Sequence, residues 1–467
     1  MAGSRGRADP APAAGSILPT LSAFLENRLL PGARLCVALS GGRDSQVLLH
    51  ALLRLRASGI CFALTAVHVD HGLSRHAGVW ADFCADFCRR CDVPLEIVRV
   101  EVPRDSGEGL EAAARRLRHA VFASRSADWL ALAHHRDDQA ETVLFRLLRG
   151  SGVRGAAGMP AERPQAGGPR LIRPLLDVPR ALIARYAAEN SLAWVEDESN
   201  ADCRHRRNHL RHEVMPRLEE AFPAAAQALA RAAGHFAEAA QLLDELAQAD
   251  RATVVAAGGR IDLVRFNALP LARARNLLRC EWLSAGFSAP DARWLDEALR
   301  QLASLAAGAE TCVATADGEL HVYRGELHLL GHRPPAPEIA LSWRGETELP
   351  WGAGRVSFIP TIGAGISRRL LVGDPVCLRS RQGGERLQPD ARRPRRTLRN
   401  LLQEAAVPPW ERSRLPLLWC ADRLVWVGGI GSDAAFACPP GDAGLTLVWQ
   451  ARETADCGFS GRATMAR

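Results

Sequence analysis

From residue 34 to about 150 the chain alternates between two hydrophobic patterns. Short apolar runs, RLCVALS (34–40), ICFALTAVHVD (60–70), LEIVRVEV (95–102) and WLALAHH (129–135), have the length and composition of buried strands. After each comes a stretch whose apolar residues recur every three or four positions: 44–55, 76–91, 109–126 and 137–150, the last closing at Gly150. Short strands alternating with helices predict an α/β domain, a parallel sheet covered on both faces. In such folds the site lies beyond the carboxyl ends of the strands. Three polar clusters fall at those ends: SGGRDS (40–45), HVDHGL (68–73) and HHRDDQAE (134–141).

Past 150 the pattern changes. PAERPQAGGPR (160–170) reads as a loop, and 173–189 as a short apolar piece followed by a helix that Pro179 can start. An alanine-rich helix is expected over 219–249, then helices near 270–285 and 291–303 and a hairpin over 311–330 turning at Asp317-Gly318. The prolines of 331–340 mark a linker, and 341–450 reads as strand-rich with one helix at 397–406. The expected organisation is a leader (1–18), a nucleotide-binding α/β domain (19–218), a mainly helical middle domain (219–332), a small α+β C-terminal domain (341–450) and a tail (451–467).

Composition narrows the chemistry. With 467 residues, 47% apolar and 24% charged, the chain suits a folded protein of several domains, and no apolar run approaches the roughly 18 residues of a membrane span. The opening MAGSRGRADPAPAAGS lacks the apolar core of a signal peptide, so a cytoplasmic protein with a disordered leader is expected. Twelve scattered cysteines fit free thiols in a reducing compartment. Only Cys84, Cys88 and Cys91 have metal-like spacing, and Phe83 and Phe87 beside them favour helix packing. A net charge of +7 is compatible with nucleic acid. All 59 basic residues are arginine. Without lysine there is no Walker A loop, no Schiff base and no lysyl-adenylate.

Each polar cluster has a bland and a chemical reading. SGGRDS could be a tight turn, but strand, Gly/Ser loop and helix N-terminus is also how a fold cradles phosphate. Asp137, Asp138 and Glu141 could simply suit a helix N-terminus. At a strand end opposite a glycine loop they could also hold Mg²⁺ or receive an ammonium group, with Asp137 and Glu141 on one helix face. His68, His71, His134 and His135 lie nearby by the same reasoning, and Asp44 and Asp70 are further acidic candidates. The Arg- and His-rich stretch 197–217 and the arginine-rich stretch 381–400 are either solvated surface or phosphate contacts.

SGGRDS resembles the SGGxDS loop of the PP-loop ATP pyrophosphatases. HVDHGL, EAAARRLRHAVF (111–122), AHHRDDQAETVLFRLLRGSGVRGAAGM (133–159), RPLLDVPR (173–180), WVEDESNADCRHRRNHLRHEVMPRL (194–218) and GGERLQPDARRPRRTLRNLLQEAAVPPWERSRLPLLW (383–419) resemble the bacterial tRNA(Ile)-lysidine synthetase family. That resemblance implies ATP-dependent attachment of free L-lysine to the wobble cytidine of a CAU anticodon, through an adenylated cytidine. It implies ATP and Mg²⁺ as cofactors, tRNA(Ile) and lysine as partners, no membrane, and a homodimer as one permitted assembly. It implies Ser40, Gly41, Gly42, Arg43, Asp44, Ser45, His68 and Asp70 around the nucleotide, and Asp44, Asp137, Asp138 and Arg115 in catalysis. Asp44 and Asp138 are the candidate Mg²⁺ ligands. His134, Asp137, Glu141, Arg118, Arg206, Arg207, Asn208 and Arg211 would meet lysine or tRNA, and the C-terminal Arg392, Arg393, Arg395 and Arg396 the tRNA body.

Four residues depart from the family's pattern. Asp70 stands where Asn is common, His205 where an aromatic is usual, and Arg399-Asn400 where paired lysines are. These bear on RNA and metal contacts and leave the reaction class unchanged. A tRNA thiolase or amidotransferase-type synthetase is the nearest rival. A thiolase would want cysteines in the cleft, which the helical 84–91 cluster does not supply. A non-catalytic RNA-binding module is the rival of another class, and it predicts no AMP production.

Overall fold

A computed structural model describes residues 16–450 except 104–108, 166, 199–201, 307–309, 333–335 and 337. Most of the expected leader and all of the expected tail lie outside the described residues. The chain divides into two compact units, Met1–Leu243 and Asp244–Arg467.

The first unit starts with helix α1 (Ile17–Glu26), capped by the Ser16 side chain and burying Ile17, Leu21 and Leu25 along one face. The alternation that follows becomes β1 (Ala33–Ala38), α2 (Arg43–Ala57), β2 (Phe62–Asp70), α3 (Ala77–Arg90), β3 (Leu95–Arg99), α4 (Leu110–Ala123), β4 (Trp129–Ala131) and α5 (Arg136–Leu148). A short helix α6 (Val153–Ala156) leads to β5 (Glu162–Arg163), β6 (Arg170–Ile172) and α7 (Arg180–Glu189). The sheet order is β3-β2-β1-β4-β6-β5. All neighbours are parallel except the β5 edge, which pairs antiparallel with β6.

β1 shows why its sequence is a near-continuous apolar run. Leu35 and Val37 pack into one core with α1, α2, α3 and α7, while Cys36, between them, packs into the other with Val121 and Phe122 of α4. A strand buried on both faces leaves no room for alternation. Chain order reverses between β1 and β4, and both strands send their next residues into the crevice at that switch point.

Two expectations are corrected here. The run 129–135 is a strand only to Ala131, so His134 and His135 stand in the loop before α5. The expected loop 160–170 contains β5 and the start of β6, an edge hairpin too short to leave a periodic signal. Cys84 and Cys88 are buried in the α3 core, where burial pushes their thiols up to about 12 and about 11.

In the second unit, helices Leu263–Asn267, Leu271–Ser284 and Ala292–Ser304 pack around Trp282, Phe266 and Leu277 with an antiparallel sheet. The sheet joins Ile261–Asp262, Glu326–Gly331, Gly318–Tyr323 and Thr311–Ala314 in that order, so the expected hairpin over 311–330 is a three-stranded meander. The residues from 340 onward form five- and four-stranded antiparallel sheets, a two-stranded ribbon and the helix Leu398–Glu404. The long helix Ala225–Val254 runs from the first unit into the second. Among the described residues no helix is long and apolar enough to cross a membrane, and every ion pair uses a guanidinium or an imidazole as its cation.

Candidate active site

The loop leaving β1 is fixed by its own small side chains. Ser45 Oγ donates to Gly42 O (2.8 Å) and lies 3.1 Å from Ser40 Oγ, while Gly42 N donates to Ser40 Oγ at 3.3 Å. Gly41 has φ +86°, and a Cβ there would come within 2.9 Å of Val195 Cγ2 and 3.2 Å of Cys84 Sγ. Both the conformation and the space demand glycine. Val195 N donates to Gly41 O at 3.0 Å, tying the loop to the chain that follows α7. From the β2 side, His68 Nδ1 donates to Leu39 O at 2.8 Å, just ahead of the loop. The loop ends at the N-terminus of α2, whose first amides lack intrahelical partners.

Across the switch point, His135 is 2% exposed and immediately precedes α5, its backbone N donating to Asp138 Oδ2 at 3.1 Å. Its Nε2 lies 3.6 Å from Asp44 Oδ2 and 3.4 Å from Asp138 Oδ2, and its Nδ1 3.7 Å from Asp137 Oδ2. Burial opposes a charged ring, but these carboxylates overcome it and raise the His135 pKa to about 9. Asp44 and Asp137 are held below the usual carboxylate range: burial works against this, and His135 outweighs it. Sequence reasoning placed His135 near the site without giving it a role; the signal was a histidine three residues before an acid at a helix start.

A pH dependence follows. A group whose folded pKa is raised from 6.5 to about 9 stabilises the fold fully below pH 6.5 and loses that contribution as pH rises through 9. Thermal unfolding followed by circular dichroism should therefore show a fall between pH 6.5 and 9.5, on the order of 3 kcal/mol. His135→Gln should remove that fall, and parallel curves for the two proteins would show that the ring is not charged.

The three acids of α5 do not divide as the helix wheel suggests. Asp137 turns away from Glu141, and its Oδ2 accepts from Arg180 N (2.9 Å), an amide at the open N-terminus of α7. Asp138 and Glu141 instead share Arg211. Its Nε and Nη2 meet Glu141 Oε1 and Oε2 at 2.7 and 2.8 Å, and Nη2 reaches Asp138 Oδ1 at 2.7 Å. Arg207 stands behind, 3.5 Å from Asp138 and 3.6 Å from Glu141. Arg211 is delivered by a π-helical turn, Leu210–Val214, between the short helices Arg206–His209 and Met215–Ala221. Such wide turns are characteristic of functional positions. Arg206 is exposed on the same segment, and Asn208 braces it by donating to Asp202 O at 3.0 Å. His205 faces Asp202 and Glu111 at 3.9 and 3.8 Å.

Beside this clamp lies a basin of cations. Among the described residues neither Arg115 nor Arg118 has a hydrogen-bonded or ion-paired partner. Burial, then neighbouring guanidinium groups including Arg207, lower the pKa of both. His134 faces the same basin: Arg173 Nε donates to its Nδ1 at 3.3 Å, and burial holds its ring neutral, well below the usual range. Arg173 is a member that sequence reasoning missed, because it sits in a loop after β6. Guanidinium groups outnumber the carboxylates beside them, of which Glu111 acts on both Arg115 and Arg118, and that surplus of cations makes a place for an anion. Asp70, 8% exposed, accepts from Gly72 N at 2.8 Å and pairs with Arg99 at 3.6 Å, so it shapes the turn after β2.

The four C-terminal arginines are not equivalent. Arg395 Nη2 lies 2.9 Å from Asp433 Oδ2, and Asp433 is fully buried, also accepting from Gln388 N and Ala435 N. Arg396 pairs with Glu404, and Arg393 lies 3.6 Å from Asp390. Arg392 and Arg393 are exposed on the turn between the ribbon strands.

Comparisons with known proteins agree along the chain. Residues 17–218 match the PP-loop domain, 261–328 the TilS substrate binding domain and 376–449 the TilS substrate C-terminal domain. The chain is similar to a tRNA(Ile)-lysidine synthase of Aromatoleum aromaticum, 51% identical over 90% of this chain and 98% of that one. A second tRNA(Ile)-lysidine synthase, from an Azoarcus species, is 47% identical over 90% and 92% of the two chains. A third, from Nitrosomonas europaea, is 43% identical over 93% and 96%.

Proposed function

The chain belongs to the tRNA(Ile)-lysidine synthase family, and from that premise we propose that it ligates free L-lysine to C2 of the wobble cytidine in the CAU anticodon of tRNA(Ile). ATP use follows from the PP-loop domain at 17–218. Cytidine O2 attacks the α-phosphorus and pyrophosphate leaves; the neutral lysine side-chain amine then attacks C2, and O2 departs with AMP. The observation that carries this reading is the juxtaposition of the Ser40–Ser45 loop with the Asp44–His135–Asp137 cluster across the switch point. Loop amides and the Ser40 and Ser45 hydroxyls would hold phosphate oxygens, and Arg43 and the Arg115–Arg118 basin would stabilise negative charge that grows during transfer. Incubation with ATP, labelled lysine and cytoplasmic tRNA tests it. Label must appear in a nucleoside after RNA digestion; label left only in free lysine refutes it.

Of the two carboxylates considered for Mg²⁺, Asp44 fits. Its side chain is 34% exposed beside the loop and holds Arg43 and His135 only at 3.2 and 3.6 Å, whereas Asp138 is 11% exposed and bound at 2.7 Å to Arg211. Asp44 would hold Mg²⁺ there, and the ion would supply positive charge against the phosphates. For the lysine ammonium, Asp137 is the acid with an oxygen still open, since only its Oδ2 is engaged among the described residues. Asp138 and Glu141 then serve by holding Arg211. Asp137→Asn should raise the lysine KM by about 10- to 150-fold, the loss of a charge-assisted bond, with the ATP KM nearly unmoved. A change confined to the Mg²⁺ requirement would reassign Asp137 to the metal.

The C-terminal domain would grip the tRNA body through phosphates, which position without reading sequence. Arg392→Ser with Arg393→Ser should weaken tRNA binding and lower the slope of log affinity against log salt by about 1 to 2. Arg395→Ser should instead cost stability, because it leaves Asp433 buried and unpaired. Equal slopes for the double variant and the parent protein, from binding titrations at several salt concentrations, would end this assignment.

A further inference from the structure

We propose a second metal site, for Zn²⁺, on the sheet of the middle domain, formed by Cys312, Glu319, His321 and His332. Antiparallel pairing sets Cys312 directly opposite His321 on strands Thr311–Ala314 and Gly318–Tyr323, so both side chains leave the same face. Glu319, two residues before His321, leaves that face as well. The third strand ends at Gly331, paired with Gly318, which brings His332 beside Glu319.

Three donor atoms converge, and His332 stands beside them at Glu319, from where its ring must swing in to complete the set. Cys312 Sγ lies 3.6 Å from His321 Nε2, His321 Nε2 lies 2.7 Å from Glu319 Oε2, and His332 Nδ1 lies 3.5 Å from Glu319 Oε1. One donor atom from each of Cys312, Glu319 and His321 falls within 4.8 Å of the other two. Ligands about 2.0–2.3 Å from a tetrahedral Zn²⁺ stand roughly 3.3–3.8 Å from one another, so the thiol–imidazole spacing already fits. The histidine–glutamate pair need open by about half an ångström, giving up a hydrogen bond for two metal bonds. A thiolate, two imidazoles and one carboxylate suit zinc and do not suit Mg²⁺ or Ca²⁺, which take oxygen. The thiol proton, and the proton between His321 and Glu319, leave to solvent.

The contrast with α3 sharpens the choice. Cys84, Cys88 and Cys91 have the more suggestive spacing in sequence, yet Cys84 and Cys88 are spent on the hydrophobic core. Cys312 and His321 are nine residues apart with nothing motif-like between them, and only strand pairing brings them together. Bound Zn²⁺ would fasten His332, the first residue past the sheet, to the two strands behind it.

Cobalt titration of the full-length protein, stripped of metal with a chelator, tests the site. One Co²⁺ per chain should produce thiolate-to-cobalt charge transfer in the ultraviolet and the visible bands of a tetrahedral ion, and Zn²⁺ should displace both. Cys312→Ser should abolish the charge-transfer band, and His332→Ala, which removes a ligand, should weaken Co²⁺ binding by at least the ~10-fold typical of losing a group that only supports one. Both residues are exposed, so circular dichroism should be unchanged. Should the serine variant fail to fold, His332→Ala and a chemical footprint decide: Zn²⁺ must protect Cys312 from alkylation, mapped by peptide mass. A charge-transfer band that persists in Cys312→Ser, or Cys312 alkylation that ignores Zn²⁺, overturns the proposal.

Discussion

Asp44→Asn is expected to cut turnover at least ~100-fold while leaving the fold intact. Asn keeps the size and most of the hydrogen bonding, so the neighbours of the loop lose only a charge. That charge sits 3.6 Å from His135 Nε2 and 3.2 Å from Arg43 Nε, and it faces the crevice with a third of its side chain exposed. Two effects compound. The carboxylate proposed above for Mg²⁺ is gone, and it is also one of the three acids that raise the His135 pKa. Single-turnover measurements with saturating Mg²⁺ give the test. Turnover equal to that of the parent protein would return SGGRDS to the status of a turn.

Arg211→Ala should strongly destabilise the first unit. The guanidinium is the shared partner of Asp138 and Glu141, whose side chains are 11% and 4% exposed. Removing one side of a buried ionic cluster leaves charge without compensation, at a cost of roughly 3–5 kcal/mol. Arg207 is close to both acids but 3.5 Å or more away, so it recovers only part of that. In a unit of this size the melting temperature should fall by about 10 °C, since each kcal/mol is worth about 2–4 °C. Glu141→Gln in the same chain should restore part of the loss by removing a stranded charge, a result that simple loss of packing would not give. A melting temperature within a degree or two of the parent protein's would show that the clamp carries no stability.

The alternating core was legible because a strand buried on both faces and an amphipathic helix write different periods, and Leu35, Cys36 and Val37 do so plainly. The polar clusters at strand ends were legible for the same reason: they interrupt those periods where the fold needs no interruption. Pairings made at a distance left no such trace. Arg211 lies 70 residues from Glu141, and its reach depends on a π-turn that no local pattern announces. The helix wheel joined Asp137 to Glu141, yet a free amide at the start of α7 took Asp137 first. Likewise Arg395 looked like its basic neighbours, and only the fold shows Asp433 beneath it.

A protein whose every basic side chain is a guanidinium or an imidazole carries no side-chain primary amine. An exposed guanidinium keeps its charge across the alkaline range in which lysine-rich surfaces discharge, so an arginine surface does not fade there, although burial lowers the pKa of Arg115, Arg118 and Arg173 in the basin. The same composition would make free lysine, the substrate proposed above, chemically conspicuous wherever it binds. An amine-directed crosslinker has no lysine of the protein to consume, and what it captures beyond the chain's α-amino group reports where the amino acid is held.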